Sequence, residues 1–364
     1  MTRTLYVGLM SGTSLDGVDA VLADFDGGKP RLIADAHLAF DAALRRELLA
    51  LNSPGANEIE RTALAGNELA RIYAAAVAAV LASSTTRAAQ VRAIGCHGQT
   101  VRHRPERGYT TQIGNAALLA EITGIRVVAD FRCRDVAAGG QGAPLAPAFH
   151  AAVFADIAED RVAINLGGIA NLSFLPRDGK VTGFDSGPGN CLLDLWASRH
   201  LGTPHDAGGN WAAAGRAIPE LLERMLQDPY FAAAPPKSTG RDLFNENWLH
   251  KYLPGCEEPQ AVQATLLDLT ARSLVNAIAL HCPGARRLIA CGGGTKNDAL
   301  MRRLAELAAP AALETSDRHG IDPQLVEAAA FAWLAKQALE GQAGNLPSVT
   351  GARGARVLGA IYPG

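Results

Sequence analysis

What the sequence lacks narrows its class first. Charge of one sign is missing: 34 Lys and Arg against 36 Asp and Glu leave a formal net charge of −2. That balance offers no electrostatic footprint for nucleic acid or for an anionic membrane. Cysteine is sparse and scattered. The six residues (Cys96, Cys133, Cys191, Cys256, Cys282, Cys291) show no C-x-x-C spacing, so neither a zinc site nor a disulfide framework is indicated. A reducing cytoplasm is the expected home. Long apolar runs are missing too. The longest nearly apolar stretch, residues 72–82, is alanine-rich and too short to span a bilayer, so it reads as part of a buried helix. Residues 1–8 lack the apolar core of a secretion signal.

What is present suits a soluble globular protein: 48% of residues are hydrophobic and 19% charged. At 364 residues the chain has room for two domains, each with its own core. The organising stretch lies near the start. Tyr6, Val7 and Leu9 lead into Met10-Ser11-Gly12-Thr13-Ser14-Leu15-Asp16-Gly17, and Val18, Ala20 and Leu22 lead out. This reads as strand, tight turn, strand. Glycines at 8, 12 and 17 let backbone approach a ligand, while Ser11, Thr13 and Ser14 supply hydroxyl donors suited to phosphate oxygens. A Walker or Rossmann loop would continue into a helix, and this one does not. Taken alone, the stretch could equally be an ordinary polar hairpin.

Residues 162–175 repeat the grammar, with Asn165-Leu166-Gly167-Gly168 as the turn between two apolar strands. Two such hairpins predict a duplicated α/β domain with a phosphate loop in each copy and a nucleotide held in a shared cleft. Between and beyond them, helices are expected at 41–52, 57–83, 115–123, from 191, and at 261–280, 298–308 and 327–339. Strands are expected at 91–96, 126–130, 181–184 and 287–291. Residues 97–105 read as a polar loop at a strand end, 139–147 as the domain junction, and 224–247 as irregular. Gly292-Gly293-Gly294 follows a strand, and could let a base or ribose lie against backbone or simply turn the chain into a helix.

Among candidate chemical groups Asp185 comes first. It follows an apolar strand and precedes Gly187, Pro188 and Gly189, so it could stand at a cleft rim as a general base or merely cap a turn. His97 and His103 lack a third ligand at metal spacing, which favours hydrogen bonding to a polar substrate. Glu327 heads an apolar helix and faces either solvent or the cleft.

Taken together, these segments resemble the anhydro-N-acetylmuramic acid kinases of the sugar kinase/Hsp70/actin superfamily. The resemblance rests on residues 8–19, His97-Gly98-Gln99-Thr100, Asp130-Phe131-Arg132, 139–144, 165–171, Phe184-Asp185 with 187–190, 235–241, 291–294 and 345–352. Ser186 and Thr295 depart from it, where threonine and alanine are usual. The resemblance implies two actin/Hsp70-like (ribonuclease H-like) α/β domains around a nucleotide cleft. Domain one would hold 1–131 with the tail 350–364, and domain two 132–349. ATP, water and 1,6-anhydro-N-acetylmuramic acid would give ADP and N-acetylmuramic acid 6-phosphate, in the recycling of cell-wall fragments. Asp185 would be the base that activates water. The nucleotide would be held by Leu9, Met10, Ser11, Gly12, Thr13, Ser14, Leu15 and Asp16, by Asn165, Gly167 and Gly168, and by Gly292, Gly293 and Gly294. His97, Gln99, Arg132 and Glu327 would hold the amino sugar. Magnesium would bridge the β- and γ-phosphates with no dedicated protein ligand assigned. The partner is then a small molecule, with no nucleic acid or membrane, and a homodimer is allowed. The rival readings are an ordinary sugar-hydroxyl kinase and an actin- or Hsp70-like ATP-switched binding protein.

Overall fold

A computed structural model describes residues 4–12, 14–27, 29–253, 255 and 257–364. Thr13 and Cys256 therefore lie outside the described residues. In chain order the strands are β1 (Leu5–Met10), β2 (Gly17–Asp24), β3 (Arg31–Ala39), β4 (Val91–Cys96), β5 (Gln99–Arg104), β6 (Tyr109–Ile113) and β7 (Val127–Ala129). They continue with β8 (Arg161–Leu166), β9 (Ile169–Leu175), β10 (Thr182–Pro188), β11 (Arg287–Cys291), β12 (Ala312–Thr315) and β13 (Ala360–Tyr362).

Contacts divide the chain into two units, Met1–Val153 with Leu325–Gly364, and Phe154–Gln324. In the first, the sheet runs β3-β2-β1-β4-β7-β13. β1, β2 and β3 form an antiparallel meander, β4 joins β1 in parallel, and β7 joins β4 in parallel. In the second, the order is β10-β9-β8-β11-β12, with β8, β9 and β10 antiparallel and β11 and β12 added in parallel. Counting only the strands of each sheet in chain order, both follow 3-2-1-4-5, and the first adds β13 as a sixth strand antiparallel to β7. That shared order and sense is the actin/Hsp70-like (ribonuclease H-like) plan, and each unit is one copy of it.

Helices cover the first sheet on both faces, which is why β1 and β4 are almost wholly buried. On one face lies Glu58–Ser83, burying Leu69, Tyr73, Val77 and Val80. It is long and apolar enough to cross a membrane by length and composition, but half of its most apolar window is buried in the fold. On the other face Val326–Leu339 presents Ala328, Ala329, Ala332 and Ala335, all buried. Two glycines permit that approach. A Cβ on Gly8 would fall 1.9 Å from the Ala328 carbonyl oxygen, and one on Gly95 would fall 2.0 Å from that of Phe331. Gly8 thus opposes a helix rather than a ligand. Gly17 likewise meets the Leu38 carbonyl of β3, where an added Cβ would lie 2.3 Å away.

Several local expectations change. Residues 99–104 form β5 of a hairpin with β6 rather than a polar loop, because Val101 is buried on one side and Thr100, Arg102 and His103 pair across. Strand β3 has no counterpart among the expected elements. β10 runs through Asp185 instead of ending before it. The stretch 224–247 contains a short helix, Pro229–Ala232, and the start of another, Glu246–His250.

The unit boundaries also differ from 131/132 and 349/350. Residues 132–153 stay with the first unit because buried Asp135 binds both the following loop and the tail: it accepts from Gly142 N (2.8 Å), Asn345 Nδ2 (2.6 Å) and Thr350 Oγ1 (2.8 Å). Gln141 N donates to Thr350 O and Arg353 N to Ala138 O. The segment 139–147 is therefore pinned within a unit instead of joining two.

Candidate functional site

In the first unit the β1–β2 turn is tied to the end of β4. His97 N donates to Leu9 O, Ser11 Oγ donates to Gly98 O (3.1 Å), and Gln99 Nε2 donates to Gly12 O (3.1 Å). Ser11 also pairs with the buried Tyr73 hydroxyl at 2.7 Å. Leu9 and Leu15 send their side chains into the core, so those side chains cannot contact a ligand. Leu15 adopts φ 56°, a left-handed conformation that costs a non-glycine residue on the order of 1 kcal/mol or more. It closes the turn through Leu15 N to Gly12 O. Ser14 Oγ donates to Asp16 Oδ1 at 2.7 Å, and both side chains are exposed. A Cβ on Gly12 would meet nothing but Ser14 Oγ at 3.7 Å, leaving that backbone open to a ligand.

Beside this turn the structure brings His97, Gln99, Arg132 and Glu327 together. Asp130 takes φ 58° and swings the chain from β7 into Arg132. Arg132 Nε then donates to His97 Nε2 (3.1 Å), and its Nη1 donates to Gly142 O (3.1 Å). Because His97 Nε2 accepts, the ring proton sits on Nδ1. Burial, then the Arg132 charge, lowers the His97 pKa to about 3, so the ring is neutral throughout any working range. Burial lowers the Arg132 pKa, opposed by the half-buried Glu327 carboxylate. The His97 ring packs 4.7 Å from that of Phe331, on the same helix as Glu327. His103 instead pairs with Thr110 Oγ1 across the β5–β6 hairpin.

In the second unit Asp185 sits at a bulge, the register slipping between Asp185 and Gly187 so that Ser186 is the extra residue. Bulges re-aim side chains, and here the strand carrying buried Phe184 turns Asp185 to the opposite side. Residues 237–239 run alongside. Asp185 N donates to Lys237 O (3.1 Å), and Thr239 N donates to Asp185 Oδ2 (3.0 Å). Burial raises the Asp185 pKa to about 6, while the Thr239 amide pulls it down. The Tyr230 hydroxyl donates to Asp185 O at 2.7 Å.

The β8–β9 turn is held from a different side, by the residues that follow β10. Gly189 N and Cys191 N donate to Gly168 O, and Asn190 N donates to Gly167 O. Asn190 Nδ2 adds bonds to the Leu166 and Gly167 carbonyls. A Cβ on Gly189 would lie 2.3 Å from Gly167 O, so this glycine is a packing requirement. Gly168 faces the Arg241 guanidinium, 3.7 Å from where its Cβ would be. Of the triple glycine, Gly292 has φ 84° and would strike Asn165 Oδ1 at 2.3 Å, and Gly294 would strike Leu166 Cβ at 2.7 Å. Only Gly293 is open, with Gln324 Oε1 3.9 Å off. Thr295 Oγ1 donates to Gly292 O and accepts from Gln324 Nε2, which also binds Gly292 O. The Asn165 Oδ1 atom is buried without a partner.

The family model for anhydro-N-acetylmuramic acid kinase matches residues 4–364. The chain belongs to the anhydro-N-acetylmuramic acid kinase family. A relative of that name from Variovorax paradoxus (strain S110) is 56% identical over 374 residues, covering 100% of both chains. Another, from Nitrosospira multiformis, is 52% identical over 365 residues, again covering 100% of both. Among solved structures, the activator of the 2-hydroxyisocaproyl-CoA dehydratase from Clostridium difficile with bound ADPNP aligns at TM-score 0.48 and 12% identity, covering 93% of this chain and 97% of that one.

For an anhydro-N-acetylmuramic acid kinase, sequence reasoning missed several neighbours of its key residues. Thr239 and Lys237 lie in the segment 235–241 that carries part of the resemblance, but nothing local in it points to Asp185 more than fifty positions earlier. Arg241 belongs to the same segment and stands over Gly168. Asp194, in the first turn of Cys191–Leu201, is raised by burial to about 6, with His205 and Arg241 opposing. Its spacing resembles any helical carboxylate, so no pattern marked it. Among the described residues no group of three His, Cys, Asp or Glu could hold a metal ion.

Proposed function

We propose that this family member uses ATP and water to open the 1,6-anhydro ring of 1,6-anhydro-N-acetylmuramic acid and to phosphorylate O6. The observation that carries the reading is Asp185: a largely buried carboxylate on a strand bulge, with one oxygen bonded by a backbone amide and a pKa near 6. A base with that pKa is ionised at neutral pH yet still accepts a proton as the transition state forms.

Asp185 takes a proton from water while the water oxygen bonds to the anomeric carbon. The C1–O bridge bond breaks, its electron pair stays on the bridge oxygen, and that oxygen attacks the γ-phosphorus as ADP leaves. An inverting glycosidase needs a second carboxyl group to protonate the leaving oxygen. Here the phosphoryl group captures it, so one base suffices.

Gly12, Ser14 and Asp16, with Gly168 and Gly293, are the proposed nucleotide contacts, since their backbone or side chains are open. Leu9, Met10, Ser11, Leu15, Asn165, Gly167, Gly292 and Gly294 would support them through backbone or shape, and Thr13, outside the described residues, belongs to the same proposal. Neutral His97, Gln99, and the Arg132–Glu327 pair would bind the sugar's polar groups. Gln99 Oε1 is buried with no partner, which suits an acceptor awaiting a sugar hydroxyl. Magnesium fits the donor chemistry near Ser14 and Asp16, which is oxygen only, and would be carried mainly by phosphates and water. When bound it would neutralise charge on the β- and γ-phosphates. Because the reaction consumes ATP, a cytoplasmic setting belongs to the same proposal. ADP release measured across anhydro-sugars and their ring-opened forms tests the reading. Strong preference for the anhydro form is expected, and preference for the open form would favour an ordinary sugar kinase.

A further inference from the structure

Thr239 is the neighbour of Asp185 that the reaction above does not use. Its backbone N–H holds Asp185 Oδ2 at 3.0 Å. Among the described residues, no donor reaches the other carboxylate oxygen, Oδ1. The side-chain hydroxyl of Thr239 is buried and has no hydrogen-bond partner. A buried hydroxyl without a partner is costly and uncommon in native proteins, so something absent from the bare chain should satisfy it.

The segment that carries Thr239 is firmly anchored. Lys237 O accepts from Asp185 N, and Lys237 Nζ donates to Tyr230 O (3.0 Å) and Phe231 O (3.3 Å), 4.8 Å from the Tyr230 ring centroid. The Tyr230 hydroxyl returns to Asp185 O. This closed loop of bonds fixes where residue 239 stands relative to the carboxylate.

We propose that Thr239 positions the water that Asp185 deprotonates. Its amide orients Oδ2, Oδ1 accepts one water hydrogen, and the Thr239 hydroxyl accepts the other. A lone pair on the water oxygen is then left to form the bond to the anomeric carbon. The proton ends on Asp185, and the electron pair of the broken C1–O bond ends on the bridge oxygen. The proposal rests on the assignment of Asp185 as base.

Thr239→Val keeps the amide and shape but removes the hydroxyl, and Thr239→Ser keeps the hydroxyl. With Asp185→Asn as reference, each is assayed for kcat, KM for both substrates, ATP binding by calorimetry and melting temperature. Thr239→Val should lose about 10- to 100-fold in kcat, with ATP affinity unchanged and a melting temperature no lower than the parent's, since the buried unpaired hydroxyl is gone. Its acid limb in the pH profile should also stay in place, because the amide is retained. Thr239→Ser should return to within about threefold of the parent. A Thr239→Val enzyme within about threefold of the parent would overturn the proposal, as would a Ser variant no better than Val. Near-parental turnover by Asp185→Asn would instead bring down the base assignment itself.

Discussion

Burial lifts the Asp185 carboxyl from 3.8 to about 6, and a single amide bond from Thr239 opposes it. Two consequences follow at this residue. First, kcat/KM should fall about tenfold per pH unit below about 6 and level off above it, because only the ionised base works. His97, held near 3, adds no limb of its own. A pH–rate profile checks this, and Asp185→Asn should lose about 10²–10⁴ in rate while ATP binding persists. Second, a raised acid pKa means the folded chain holds this proton more tightly than the unfolded chain. Stability from this group is therefore greatest below about 4 and is lost as pH rises from about 4 to about 6. Asp185→Asn should melt higher than the parent at pH 7.5, by an increment worth on the order of 1 kcal/mol, and show no such gain near pH 4. Catalysis and stability then move in opposite directions at one position. Asp185 was legible in the sequence as a carboxylate before a glycine-rich turn. Its setting was not, since the bulge and the partner strap depend on residues 230–239.

Among the elements, the two glycine turns were the most readable, because strand–turn–strand grammar is local. What the glycines do was less so. Gly12 and Gly168 leave backbone open, whereas Gly8, Gly95 and Gly189 are demanded by a helix or a loop lying against them, which no local pattern reports. The two kinds should separate on substitution. Gly12→Val puts a branched side chain into open space, so the fold should survive while ATP affinity falls. Calorimetry on a variant with an unchanged melting curve checks it, and unchanged binding would remove this turn from the phosphate site. Gly95→Ala forces a methyl against the Phe331 carbonyl at 2.0 Å. It should lower stability by about 1–3 kcal/mol or more through overpacking, read as a lower melting temperature. β3 is not legible because its burial alternates weakly, and β5 because its polar residues resemble a loop.

At the scale of the molecule, duplication is visible in the sequence as two hairpins, and the 3-2-1-4-5 order shared by the two sheets, with β13 added to the first, agrees with it. The boundaries were less legible. Asp135 binds Asn345 and Thr350 more than two hundred positions away, and helix Val326–Leu339 returns to β1 and β4, so chain order alone misplaces both junctions. The central claim is that ring opening and phosphoryl transfer are one coupled event. Turnover of 1,6-anhydro-N-acetylmuramic acid in ¹⁸O-water, quenched before the anomeric hydroxyl exchanges and read by mass spectrometry, tests it most directly. One label at C1 with none in the phosphate ester is the predicted result. Label in the ester oxygen, or product formed without solvent oxygen, would contradict it.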